Sequence, residues 1–93
     1  MIHPTAVIDP AAQLDSSVRV GPYAVIDAAV RLGPDCVLGP HVYVTGQTTL
    51  GARNQLHAGC VMGDAPQDLK YRGEPTGLVI GDDNVFREHV TVH

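Results

Sequence analysis

An aliphatic residue at every sixth position constrains this chain more than any other feature. Ile2, Ile8, Leu14, Val20, Ile26, Leu32, Leu38, Val44, Leu50, Leu56 and Met62 keep that register without a miss. Four residues after each stands something small or β-prone, from Ala6, Ala12 and Val18 through Cys36 and Thr48 to Asn54 and Cys60. A period of six fits neither a helix, which repeats near 3.6, nor a free-standing alternating strand. It is a hexapeptide repeat, and such repeats build parallel β-helices. Each hexad supplies one short strand and one corner, where Gly or Asp relaxes the backbone. The two marked positions face inward on either side of one outward residue. Three hexads close a triangular coil, and coils stack about 4.8 Å apart with their backbone groups paired up and down. The period leaves the hand of the coil open.

A solenoid suits 93 residues, because each coil needs only its neighbours, and the chain is expected to form a single domain over 1–93. Hydrophobic residues make up 44% of it, yet there is one Phe and no Trp, as a thin prism core requires. A net charge of −4 offers nucleic acid no basic patch, so no such partner is expected. No apolar run is long enough to span a bilayer, and Met1 leads straight into the first hexad without a signal peptide. A cytoplasmic protein is the expectation. Cys36 and Cys60 fall at inward positions on different faces and read as two buried, reduced thiols.

Folding the register onto three faces exposes an asymmetry. The outward residues are Val7, Val25, Tyr43 and Val61 on one face, Gln13, Arg31 and Thr49 on the second, and Arg19, Val37 and Gln55 on the third. Valine favours strands wherever they lie. The other two faces use mainly polar residues at the same positions, however, so the first face reads as a partner surface. A closed three-fold assembly suits a prism with one such face, and a dimer is the alternative.

At Gly63 the repeat breaks. The stretch of about 64–77 holds two prolines and several charges and reads as an external loop, the register resuming at Ile80, Phe86 and Val92. Its excess length is itself a multiple of six, so two degenerate hexads would also keep register. Pro66 and Pro75, with Asp68 and Glu74 at the would-be core positions, favour the loop. Loops of this length in compact folds are often functional. The placement stacks Val90-Thr91-Val92 on Cys60-Val61-Met62 and sets His93 beside Gly63, at the loop's root and next to the apolar face.

The loop also carries a signature. Gln67-Asp68-Leu69-Lys70-Tyr71-Arg72-Gly73-Glu74-Pro75-Thr76, followed by Ile80-Gly81-Asp82, Arg87-Glu88 and Val90-Thr91-Val92-His93, resembles the acyl-carrier-protein–UDP-N-acetylglucosamine O-acyltransferase family over the whole chain. The resemblance implies a left-handed parallel β-helix, a homotrimer and active sites between subunits. It implies transfer of an (R)-3-hydroxyacyl group from acyl carrier protein to the 3-hydroxyl of UDP-N-acetylglucosamine, the first step of lipid A biosynthesis, with no cofactor. By the same resemblance Gln67 and Asp68 contact the sugar nucleotide, Lys70 its anionic or acyl portion, and His93 lines the pocket. The family's general base is a histidine on a later coil, and its members add further coils and a helical C-terminal domain. On this reading the 93 residues are a truncated N-terminal portion, inactive alone, with no catalytic residue of their own.

Five histidines raise the question of zinc, which needs three or four ligands converging tetrahedrally. His41 falls at a hexad's fourth position, whereas His57 and His93 follow the aliphatic on different faces, and His89 could approach His93 only around a corner, so no metal site is expected. His3, His41, His57 and His89 read as solvated corner residues. Asp68 and Lys70 could equally form a surface pair of little energetic value. The rival to the enzyme is a non-catalytic β-solenoid scaffold or oligomerisation module.

Overall fold

The computed structural model describes residues 1–63 and 77–93. Thirteen strands run through them, arranged in three parallel sheets. Sheet 1 stacks β1 (Val7–Ile8), β4 (Val25–Ile26), β7 (Tyr43–Val44), β10 (Val61–Met62) and β13 (Thr91–Val92). Sheet 2 stacks β2 (Gln13–Leu14), β5 (Arg31–Leu32), β8 (Gln47–Leu50) and β11 (Gly77–Ile80). Sheet 3 stacks β3 (Arg19–Val20), β6 (Val37–Leu38), β9 (Gln55–Leu56) and β12 (Val85–Phe86). Consecutive strands always lie in different sheets, so the chain winds once around the prism before it pairs with itself.

Most strands are only two residues long, because a hexad has room for little more before its corner. The inward pairs fill the axis: Ala24, Val30, Val42, Val44, Leu50, Leu56 and Met62 are all buried, as are Cys36 and Cys60. Both thiols are free and lie in the core. Two polar residues share that core. Thr48 donates from Oγ1 to the Thr45 carbonyl at 2.7 Å, and Asn54 donates from Nδ2 to the carbonyls of Gly51 and Gly81 at 3.2 and 2.7 Å. The Asn54 carbonyl oxygen accepts from the Asn84 N–H at 2.9 Å, so its amide is satisfied on both sides. Burial without those partners would cost about 1–3 kcal/mol.

The corners depart from the expectation of Gly or Asp. Tyr23, His41, Arg53 and His89 all have φ near +60°, alongside Asp35 and Asp83. A left-handed L-residue costs about 1–2 kcal/mol, which the stack offsets by pairing each N–H. The N–H groups of His41, Arg53, Asp83 and His89 donate to the carbonyls of Pro22, Pro34, Ala52 and Ala58 one coil earlier. At the first coil side chains take over, with Tyr23 N–H bonding Thr5 Oγ1 and Asp35 N–H bonding Ser17 Oγ, each 18 residues back. Stacking of the Tyr23 and His41 rings, 5.3 Å between centroids, adds to one corner.

The insertion interrupts the winding between β10 and β11 without disturbing register. Val61 pairs with Thr91, Thr49 with Val79 and Gln55 with Val85, and the bond that the Ala52 N–H donates to Asp82 Oδ1 spans 30 residues in place of the usual 18. One boundary needs correction. Gly77, expected to end the loop, instead begins β11 and pairs with Gln47, because β8 is four residues long and offers it a partner. The inward residues Leu78, Ile80, Phe86 and Val92 are half-buried.

Candidate functional site

The corner between sheets 1 and 2 gathers the candidate residues. Asp9, Asp27, Thr45 and Gly63 donate their N–H groups in turn to the carbonyls of Ile26, Val44, Met62 and Val92, which sets one column running from Asp9 to His93. Asp27 is the hub of its lower half. Its Oδ2 accepts from the Tyr43 hydroxyl at 3.1 Å and from the Thr45 hydroxyl. Above it Gly63 has a φ of +78°, and a Cβ there would collide with Thr48 Oγ1 and the Thr45 carbonyl. Only glycine fits both the backbone and the space.

That glycine is the last residue before the insertion, and Gly77, the first after it, pairs with Gln47 at the foot of the same corner. Both roots of the insertion and the exposed His93 therefore share one edge of the prism. Gln67, Asp68 and Lys70 lie outside the described residues, so of the four expected site residues His93 alone has a described position. It stands where the register put it, beside Gly63. The adjoining face is the expected apolar ladder: Val7 is 63% exposed, and Val25, Tyr43 and Val61 are half-buried at successive levels.

The other histidines all stand at the corner between sheets 3 and 1. His41 stacks on Tyr23, and His3 Nδ1 pairs with the Thr5 hydroxyl at 2.9 Å. His57 is not simply solvated: its Nδ1 lies 3.2 Å from Glu88 Oε1, tying two coils together. Among the described residues no three His, Cys, Asp or Glu side chains converge as a metal cage. The ionisable groups clearly shifted lie away from the site. Asp83 is held below the usual carboxylate range by hydrogen bonds from Arg53 at 2.7 and 3.0 Å, and burial pushes the Cys60 thiol up.

The Asp27–Tyr43–Thr45 cluster escaped the sequence reading. Its signal was present, because Asp27 and Thr45 are 18 residues apart and therefore one coil apart. Both stand at a corner, outside the residues that lie between the inward pairs.

Three parallel sheets wound by a six-residue period, with one corner insertion, define a hexapeptide-repeat β-helix protein. No family model matches the chain. Curated enzymes named acyl-[acyl-carrier-protein]–UDP-N-acetylglucosamine O-acyltransferase do. The one from Xanthomonas oryzae is 56% identical over 93 residues, covering 100% of this chain and 35% of the relative. The one from an Anaeromyxobacter strain is 60% identical over 91 residues, covering 98% and 35%. The solved UDP-N-acetylglucosamine O-acyltransferase of Moraxella catarrhalis superposes with a TM-score of 0.96 at 42% identity, over 99% of this chain and 36% of that one. The chain belongs with the N-terminal coils of this O-acyltransferase family and shares their left-handed β-helix. It spans about 35% of the length of these relatives.

Proposed function

We propose that these coils are the N-terminal portion, and part of the acceptor site, of an enzyme that transfers an (R)-3-hydroxyacyl group from acyl carrier protein to the 3-hydroxyl of UDP-N-acetylglucosamine, the first step of lipid A biosynthesis. The observation that carries the reading is the match across the whole chain, insertion signature included, at 56% identity. The meeting of both insertion roots with His93 at one corner supports it. Gln67 and Asp68 bind the sugar nucleotide, Lys70 meets its anionic or acyl portion, and His93 lines the pocket. A carboxylate, an amide and a cation suit sugar hydroxyls and a phosphate.

The transfer needs a base to take the hydroxyl proton as the alkoxide forms, and an imidazole titrating near neutrality serves without a cofactor. That base is a histidine of the enzyme outside these 93 residues, so the chain by itself transfers no acyl group. The apolar sheet-1 face packs against a second copy in a homotrimer, which completes each site. The protein works in the bacterial cytoplasm; no helix among the described residues is long and apolar enough to cross a membrane.

The test is a chimera. Replacing the matching N-terminal residues of the Moraxella catarrhalis enzyme with this chain should give a trimer that transfers acyl groups to UDP-N-acetylglucosamine. A folded, trimeric chimera without turnover overturns the reading. The isolated chain should bind UDP-N-acetylglucosamine weakly and show no turnover. Turnover by the isolated chain that vanished in His93→Ala would move the base to His93. Unchanged binding in Asp68→Ala would remove the insertion from the site.

A further inference from the structure

Two aspartates at the corners of this prism close their own turn. Asp9 and Asp15 each accept, on Oδ1, the N–H two residues further on, Ala11 at 2.9 Å and Ser17 at 3.0 Å. Asp27 does something else. It follows Asp9 in the same column, one coil later, but is half-buried where Asp9 is exposed. Its Oδ2 reaches to the next coil and accepts the Thr45 hydroxyl and, at 3.1 Å, the Tyr43 hydroxyl. Hydrogen bonds to an ionised acceptor are roughly twice as strong as neutral ones. The carboxylate therefore holds the Thr45 side chain in one place.

Thr45 is the residue on which the insertion root rests. The buried Thr48 hydroxyl donates to its carbonyl at 2.7 Å. Its N–H donates at 2.9 Å to the carbonyl of Met62, the residue just before Gly63. The Thr45 carbonyl and the Thr48 hydroxyl together fill the space that a Cβ on Gly63 would take. Gly46, left-handed at φ +67°, leaves room in the same way for the Gly63 carbonyl, the last group before the insertion. The Gly63 N–H in turn donates at 2.7 Å to the carbonyl of Val92, one residue before His93. A chain of direct contacts thus runs from the Asp27 carboxylate through Thr45 and Gly63 to the peptide that carries His93.

We propose that Asp27 is a positioning residue for the acceptor site: by anchoring Thr45 it sets the place of Gly63, and with it the root of the insertion and His93. The proposal rests on the acyl-transfer reading for what the site binds, but not for the contacts that join the site to Asp27. Asp27 acts through Thr45 rather than on the substrate. Without its carboxylate the Thr45 side chain is released and the corner beneath Gly63 can shift. Misplacement by about 1 Å can cost about 100-fold.

The chimera with the Moraxella catarrhalis enzyme tests the proposal. Asp27→Ala should raise KM for UDP-N-acetylglucosamine about tenfold and change kcat by less than about twofold, as when ground-state and transition-state contacts are lost alike. Thr45→Val, which removes the hydroxyl at nearly constant volume, should do the same, and the double variant should be no worse than either alone. Asp27→Asn keeps an acceptor oxygen and should recover most of the loss. Asp15→Ala removes the Ser17 bonds at the corner between sheets 2 and 3 and should leave KM alone. A purely structural role would lower the amount of active enzyme, and hence the rate at saturation, with KM unmoved. That result, or equal KM shifts in Asp15→Ala and Asp27→Ala, would overturn the proposal. A folded, trimeric wild-type chimera without turnover would remove the acyl-transfer reading instead, and hydrogen exchange on the 93-residue chain then decides the positioning role. In Asp27→Ala and Thr45→Val the Gly63 N–H should exchange about tenfold faster. The Gly39 N–H, bonded to the Leu56 carbonyl at another corner, should keep its rate. Equal acceleration at both glycines, or none at Gly63, would overturn it.

Discussion

At Gly63 the backbone has two constraints at once, a left-handed φ and a neighbour in the place of any Cβ. Gly63→Ala should therefore destabilise the coils by about 1–3 kcal/mol, measured by urea unfolding, and weaken UDP-N-acetylglucosamine binding by misdirecting the insertion. Asp83 poses a different question. Its pKa is depressed by the Arg53 hydrogen bonds, so the folded chain resists protonating it more than the unfolded chain does. Its stabilisation is present above the ordinary carboxylate value of about 3.9 and disappears as pH falls through the lower folded value. Both partners are exposed, so the effect is small and weakened by salt. In Arg53→Gln the Asp83 midpoint, followed by carboxyl NMR, should rise to the ordinary value; an unmoved midpoint would show that Arg53 is not the cause. Cys36 and Cys60 should stay inert to thiol reagents at neutral pH until the chain unfolds, because both are buried and Cys60 is pushed toward its protonated form.

Two-residue strands have little stability of their own, and the element that folds is the coil. Each contributes inward side chains to a shared axis with almost no volume to spare. Leu32→Asp or Val44→Asp would set a charge where no partner waits, and either should abolish the cooperative β-sheet melt. A near-wild-type melt would contradict the prism core. The coil after the insertion depends on bonds that span it: Asn54 to Gly81 and Asn84, the Ala52 N–H to Asp82, and Arg53 to Asp83. Asn54→Ala should cost about 1–3 kcal/mol by leaving the Gly81 carbonyl and the Asn84 N–H without it. Hydrogen exchange should quicken in β11 and β12 before the earlier strands. The small-residue column was legible at position 54, but its amide is there for the insertion, and only the pairing across 30 residues shows that.

As a whole the molecule is a prism with one apolar side. Val25→Glu with Tyr43→Glu should dissociate the assembly while leaving β content largely intact, since both side chains point outward on sheet 1. The Tyr43 change also removes a bond to Asp27, so the single Val25→Glu variant separates interface from corner. Wild type sedimenting as a monomer would remove the interface.

Sequence alone determined the coil, the composition of its three faces and the level at which His93 meets Gly63. All of these follow from one local rule, that every sixth residue turns inward, and a local rule survives any arrangement of what lies outside it. Tertiary structure decided the rest. The left-handed conformations of His41, Arg53 and His89 are tolerated because a carbonyl one coil earlier receives each N–H, and that of Tyr23 because the Thr5 hydroxyl does. Asp27, Tyr43 and Thr45 form a cluster through the same stacking. Such contacts join residues 16 or 18 apart within the regular coils and 30 apart across the insertion, and the sequence names both partners without showing which way their side chains turn. That choice is made by the space between coils, which exists only once they have stacked.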